Sequence, residues 1–214
     1  MTGSFELQPE AVPPEAGALL DPEVYGGHYR ELAENLRALD GAPGRVAVTG
    51  VGDGVGCSSV CLGLGGALAS LGVRAAVLDC DLHSPRLHQM LGEPNFTGLT
   101  TAQREEGSLE NHGYEPISDL LVVPTGPIPE DPASALEPER VSSAVGELRE
   151  SRDVVILDSP GRQEGGEFAL YRELDGVLLV IHASLTSKSE AREAARELED
   201  SGVNLLGVVL NGVR

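Results

Sequence analysis

The sequence predicts an α/β fold, a central and mostly parallel sheet with helices on both faces, and three observations carry that expectation. Residues 46–48, 74–79, 119–123, 153–158, 176–181 and 204–210 are apolar almost without interruption, as strands are when both faces of a sheet are covered. Most intervening stretches show helical spacing, the alternation that builds parallel sheets. Three of the apolar runs end in glycine or aspartate, where an open parallel sheet binds its ligands.

Residues 1–24, rich in Pro, Glu, Ala and Gly without a sustained period, read as a flexible lead-in, and 25–214 as a single domain. Over 27–39, Tyr29, Leu32, Leu36 and Leu39 recur at helical spacing, and the breakers of 40–44 end that helix. The strand at 46–48 gives way to alternating glycines and then to an apolar helical pattern over 57–71. Gly72 punctuates before the second strand at 74–79. Ser84 and Pro85 suit the N-cap and first position of a short helix. Residues 92–117 show no clear period and read as loop and short helix. A third strand, 119–123, leads into a proline-rich loop. The helix expected over 137–150 puts Val141, Val145 and Leu148 on one face. Strands at 153–158, 176–181 and 204–210 follow, the last two separated by a helix over 187–199.

Composition narrows the function classes. The 214 residues carry 34 acidic and 15 basic side chains, a formal charge of −19, and Lys188 is the sole lysine. Such a surface repels phosphate backbones and anionic lipid, which argues against a nucleic-acid binder or a direct membrane association. Aromatic residues are only 3%, so Val, Leu and Ala must build the core. No apolar run reaches the ~18 residues of a membrane span, and no signal-peptide pattern opens the chain. Three cysteines make no disulfide framework, which implies a reducing, cytoplasmic setting.

The chemistry centres on Val46 to Ser59, VAVTGVGDGVGCSS. Strand, glycine loop and helix N-terminus in that order form a phosphate cradle, because glycines let successive backbone N–H groups converge and the helix adds its positive dipole end. Gly52, Asp53, Gly54, Val55, Gly56, Cys57, Ser58 and Ser59 are the candidate nucleotide-binding residues. A P-loop closes on Gly-Lys-Ser/Thr, whereas here the closing residues are Gly56-Cys57-Ser58, without the lysine. A hydroxyl opening the helix and acidic strand ends are what Mg²⁺ and a nucleotide polyphosphate require, which makes Ser58, Asp79, Asp81 and Asp158 candidate metal ligands. Arg162, four residues beyond Asp158, is a candidate substitute for the missing cation. Cys57, with Cys61 and Cys80, reads either as a small core filler or as part of a reactive or metal-binding group.

In order and content these segments resemble the bacterial tyrosine kinases (BY-kinases) of capsule and exopolysaccharide assembly, relatives of the deviant-Walker ParA/MinD ATPases. The resemblance spans residues 29–213. It rests on TGVGDGVGCSS at the Walker A place, VLDCDLHSPRLH at the second acidic motif, VVILDSP at Walker B, VVPTGPIPEDPASAL and the closing LGVVLNGV. It implies Mg²⁺ and ATP or ADP as ligands, with Ser58 on the metal. By the same likeness Asp79 and Asp81 serve the metal and the activation of an acceptor hydroxyl, and Asp158 the metal or its water. It also implies a membrane-embedded polysaccharide chain-length or export protein, or a related kinase, as partner, and a place at the cytoplasmic face of the inner membrane.

The departures fall together. Cys57 stands at the phosphate-binding lysine. The family's oligomerisation motif, Glu-x-x-Arg-x-x-Arg, is reduced to Gly27, Arg30 and Ala33, which leaves homo-oligomerisation open. His83 and Ser84 replace two arginines after the second acidic motif, leaving Arg86. The four tyrosines, Tyr25, Tyr29, Tyr114 and Tyr171, form no terminal cluster. These losses predict a catalytically weak or inactive relative, with a regulatory or scaffold role, and weak or absent nucleotide binding; an active kinase with a substitute cation is the alternative. Thr49-Gly50-x-x-x-Gly54-x-Gly56 also matches the loop of short-chain dehydrogenases. Their Tyr-x-x-x-Lys pair cannot exist here, because Ser184 stands four residues before Lys188, so only a dinucleotide-binding module without that chemistry survives as a rival. A ParA/MinD-like positioning ATPase would need the lysine and a basic or amphipathic surface.

Overall fold

The computed structural model describes residues 14–21, 24, 26–105, 108–160 and 168–213. Its elements, in order, are α1 (Pro14–Leu20), α2 (Gly26–Ala38), β1 (Arg45–Gly50), α3 (Cys57–Ser70), β2 (Ala75–Asp79), α4 (Leu87–Leu91) and α5 (Leu99–Glu105). A 3-10 turn, Leu109–His112, leads to β3 (Tyr114–Ile117), β4 (Leu120–Val123), α6 (Pro132–Ala135) and α7 (Pro138–Ser151). The chain continues through β5 (Val154–Asp158), α8 (Phe168–Arg172), β6 (Gly176–His182), α9 (Lys188–Asp200) and β7 (Leu205–Asn211).

The seven strands form one sheet in the order β3-β4-β2-β5-β1-β6-β7, parallel throughout except for the antiparallel β3–β4 pair. Successive strand residues point to opposite faces, and both faces are buried along the inner strands, while the edge strands β3 and β7 are partly exposed. Val46, Val48, Val77, Val122 and Ile156 pack against α1, α2 and α3. Ala47, Ala76, Leu78, Val155 and Leu157 pack on the other side with residues of α5, α7, α8 and α9. This double burial is the physical reason the strands lack alternation.

Strand order decides between two readings of the glycine loop. In the dinucleotide-binding fold the second strand lies directly beside the first. Here β5 lies between them, with Asp158 in register with Val48 of β1 and with Asp79 of β2. The dinucleotide alternative is therefore corrected. The inserted strand brings the acidic end of β5 beside the loop.

The helix that follows the loop is unusually rich in glycine, and its neighbours explain why. A Cβ on Gly63 would lie 2.3 Å from the Tyr29 ring of α2, and one on Gly66 would lie 2.9 Å from Leu20 of α1. Glycine costs α3 roughly 0.5–1 kcal/mol per position, but it lets both helices approach closely. Gly63→Ala should therefore destabilise the domain by about 1–3 kcal/mol, as overpacking does, despite alanine's better helix propensity. Denaturant unfolding of the variant checks the sign: a stabilised protein would mean Tyr29 swings aside freely.

Three elements differ from expectation. Helix α1 lies in the stretch read as a lead-in, where Leu20 is buried against α3; residues 1–13 lie outside the described residues. Strand β3 carries Pro116 and is only four residues long, so its sequence gives little strand signal. Helix α4 starts at Leu87 instead of at Pro85, and Ser84 does not cap it. Acceptors on β2 and in the following turn take those backbone amides instead. Helix α9 shows the expected start, a capping box in which the Ser187 hydroxyl accepts from Glu190 N (3.2 Å) and the Glu190 carboxylate from Ser187 N (2.8 Å).

Candidate nucleotide site

The loop after β1 has the backbone of an anion cradle. Gly52, Gly54 and Gly56 take φ of +91°, +73° and +99°, turning the chain so that amides of the loop converge. Gly56 is the N-cap of α3 and offers no side chain to cap it, so the first-turn N–H groups of that helix remain available to a ligand. Replacement of Gly56 is barred twice, by its left-handed backbone and because a Cβ there would lie 2.1 Å from Asn211 Nδ2. That amide donates to Val55 O at 2.9 Å, so the end of β7 fastens the loop across the sheet edge. Sequence reasoning missed Asn211, because its contact spans 156 positions. The other end is tied by Thr49, whose hydroxyl donates to Pro160 O at 3.0 Å.

Loop residues 52–59 line an open cleft of about 720 Å³ together with Asp81, Arg86, Asp158 and Ser159. Of the candidate residues, Asp79 is not on its wall. It is fully buried, and its Oδ1 accepts from Asp81 N (3.1 Å) and its Oδ2 from Leu87 N (3.4 Å). Asp81 sits at the cleft and accepts through Oδ1 from His83 N (3.1 Å) and Ser84 N (2.9 Å). The two acids thus pin the turn between β2 and α4. Arg162 lies outside the described residues.

Asp158 is buried at the end of β5, and burial is the main cause that pushes its carboxyl from the ordinary 3.8 up to about 7. Asp81 raises it further, while hydrogen bonds from the Ser58 hydroxyl and the Cys61 thiol hold it down. Its Oδ2 has no hydrogen-bond partner, a costly arrangement for a buried carboxylate. Burial, and then Asp158, push Asp79 up in the same direction. A cation seated between Ser58 and Asp158 would satisfy that oxygen. Among the described residues no three His, Cys, Asp or Glu side chains gather to hold a metal by themselves. Magnesium does not need them, since phosphates and waters complete its shell around one or two protein groups. The donor set fits Mg²⁺ bound with a nucleotide.

The Cys57 thiol does not replace a lysine. Burial first, then Asp158 and Asp81, push it up to about 12, so it stays neutral and is a poor nucleophile. Cys61 and Cys80 are fully buried and pushed up as well. Burial thus favours the filler reading for Cys61 and Cys80, which lie inside the core, while Cys57 is half-buried and lines the cleft.

A parallel sheet with the second acidic strand set beside the glycine-loop strand, a helix N-terminus open to a cleft and aspartates at its edge define a P-loop protein of the ParA/MinD class. The family described as cellulose biosynthesis protein BcsQ matches residues 44–206. The chain belongs to that family and, with it, to the P-loop ParA/MinD group that includes the BY-kinases. The tyrosine-protein kinase YwqD of Bacillus subtilis is 28% identical over 200 residues, covering 91% of this chain and 84% of that protein. The tyrosine-protein kinase wzc of Salmonella typhi is 24% identical over 168 residues, 78% of this chain; the chain spans only 23% of that relative's length. Among solved structures, the chimerical protein CapA2B2 superposes with a TM-score of 0.80 at 25% identity, over 87% of this chain and 84% of that one. The BceF tyrosine kinase domain gives 0.79 at 25% identity, over 93% and 82%.

Proposed function

We propose that this chain is a catalytically weak or inactive BY-kinase-like protein, acting as a regulatory or scaffold partner in capsule or exopolysaccharide biosynthesis and export. The observation that carries the proposal is Cys57, a neutral thiol at the position of the phosphate-binding lysine. A charged hydrogen bond to phosphate contributes about 1.5–3 kcal/mol, roughly 10- to 150-fold in affinity. Its loss counts for more in phosphoryl transfer, where catalysis consists largely of positioning and charge stabilisation.

The remaining residues divide as follows. The loop amides hold phosphate, Ser58 and Asp158 hold Mg²⁺, and Asp81 faces the same cleft. Asp79 is a positioning residue, since both its oxygens are used on the turn that carries Asp81. Magnesium, when bound, would neutralise phosphate charge, a task that a loop lysine would otherwise share. The partner fitting this role is a membrane-embedded polysaccharide chain-length or export protein, or a related kinase, at the cytoplasmic face of the inner membrane. The tyrosine-kinase names of its relatives support the BY-kinase-like part of this reading. No helix among the described residues is long and apolar enough to cross a membrane.

Incubation with labelled ATP and Mg²⁺, with and without an activating segment of a membrane partner, is the direct test. Little or no phosphotyrosine is expected in either case. Robust labelling would contradict the proposal and favour the active alternative with a substitute cation; Arg162→Ala would then identify that cation if it abolished the signal.

A further inference from the structure

Among the described residues, the charged side chains that line the loop's cleft are acidic apart from one. Asp53, Asp81 and Asp158 line it, and Arg86 is the single lysine or arginine among the described residues that do so. Arginines that do form ion pairs lie elsewhere: Arg45 with Asp175 (2.7 Å) and Arg74 with Asp153 (2.7 Å) stand at the opposite, amino ends of β1 and β2. Arg86 makes no ion pair among the described residues and stays exposed. An arginine set in a cleft of carboxylates, and paired with none, is placed to meet an anion that enters there.

Its backbone is fixed from below. Pro85 restricts the chain just before it. Asp79 Oδ2 accepts from Leu87 N just after it, and Asp81 Oδ1 accepts from His83 N and Ser84 N just ahead. Two buried or half-buried acids thus spend their oxygens on the turn from which Arg86 projects. A turn held by three such bonds presents its side chain reproducibly, so little of a contact's energy is lost to ordering the backbone.

Position also selects which part of the anion it meets. The glycine loop and the start of α3 would hold one end of a bound polyphosphate, and Ser58 with Asp158 would hold a metal beside it. Arg86 comes from the β2–α4 turn, and in the sheet β2 is separated from the loop strand β1 by β5, so Asp158 stands between loop and turn in strand order while all three line one cleft. We infer that Arg86 contacts the terminal phosphate of a bound nucleoside triphosphate and so gives this lysine-less site its preference for the triphosphate over the diphosphate. The inference rests on the nucleotide-site reading above and adds to it a residue and a specificity. A guanidinium suits the task, because its fork can take two oxygens of a terminal phosphate at once.

The test is equilibrium binding of Mg-ATP and Mg-ADP, at one salt concentration, to the unmodified chain, Arg86→Ala and Arg86→Lys, with thermal melts confirming that each variant folds. Arg86→Ala should weaken Mg-ATP binding by roughly 10- to 150-fold, the range for one charged contact, while Mg-ADP changes by no more than about threefold. Arg86→Lys should recover part of the loss. Equal weakening of both nucleotides, or no change in either, would overturn the inference and leave the nucleotide site standing. Failure of the unmodified chain to bind either nucleotide would instead overturn the site reading, and the role of Arg86 with it.

Discussion

Cys57→Lys is expected to raise Mg-ATP affinity by roughly tenfold or more, the value of one charged phosphate contact. The scaffold for that contact is in place: Gly52, Gly54 and Gly56 have the positive φ of a phosphate cradle, and the first turn of α3 has no side-chain cap competing for its amides. Cys57 lines the cleft, so a longer side chain has room to extend into it. The new ammonium would enter among Asp53, Asp81 and Asp158 and find opposite charge there, which limits the cost of bringing it into the partly buried site. The gain should depend on magnesium if Ser58 and Asp158 have the metal-holding role proposed for them. Nucleotide titrations with Mg²⁺ and then with chelator measure it. A variant with no magnesium-dependent gain would mean the loop has diverged beyond its lysine.

Asp158→Asn should stabilise the ligand-free protein by about 2 kcal/mol above pH 7 while abolishing the magnesium dependence of nucleotide binding. The sign follows from linkage. The Asp158 carboxyl rises from 3.8 to about 7 on folding, so between those values the folded state holds a proton the unfolded state has released. The stability associated with the protonated form is fully present below about 3.8 and is lost as the pH rises through about 7. At 1.4 kcal/mol per pH unit the ceiling is about 4 kcal/mol, and the Ser58 hydrogen bond and local relaxation bring the expected effect below it. For a chain of this size, 2 kcal/mol corresponds to roughly 4–8 °C in Tm. Melts of both proteins from pH 5 to 8 should therefore diverge as the pH rises, with the asparagine variant flatter. Asp153 works oppositely but in another window: Arg74 holds it down at about 2, so its contribution is lost only as the pH falls below 4. Parallel melting curves across the range would show that Asp158 is ionised in the fold at no cost.

Much of this architecture could be read from local chemistry. Strands β1, β2, β4, β5 and β6 are apolar runs because both their faces are largely buried, and such runs need no partner to be recognised; β7, at the sheet edge, is an apolar run that leaves Val208 and Leu210 exposed. Helix α9 begins at a capping box whose two residues lie three apart. What escaped depends on distant contacts. Helix α1 is a short piece whose Leu20 packs where Gly66 leaves space for it. The start of α4 is fixed by Asp79, eight residues away on β2, so Ser84 and Pro85 misled by local rules. Motif position makes Asp79 look like a ligand of the cleft; burial and two backbone donors make it a support beneath Asp81. Asn211 sits in the closing LGVVLNGV segment and Arg86 is the arginine kept after the second acidic motif, yet only the folded sheet edge shows the contact of the one with the loop and the place of the other in the cleft.

The most direct measurement is a calorimetric titration of the unmodified chain with Mg-ATP, Mg-ADP and NAD(P)H at a single salt concentration, repeated after chelation of Mg²⁺. Weak adenine-nucleotide binding that disappears with the metal, at least tenfold below that of Cys57→Lys, together with no binding of NAD(P)H, is the result expected of a P-loop that has lost its lysine. Binding of NAD(P)H, or nucleotide affinity indifferent to magnesium in both proteins, would contradict it.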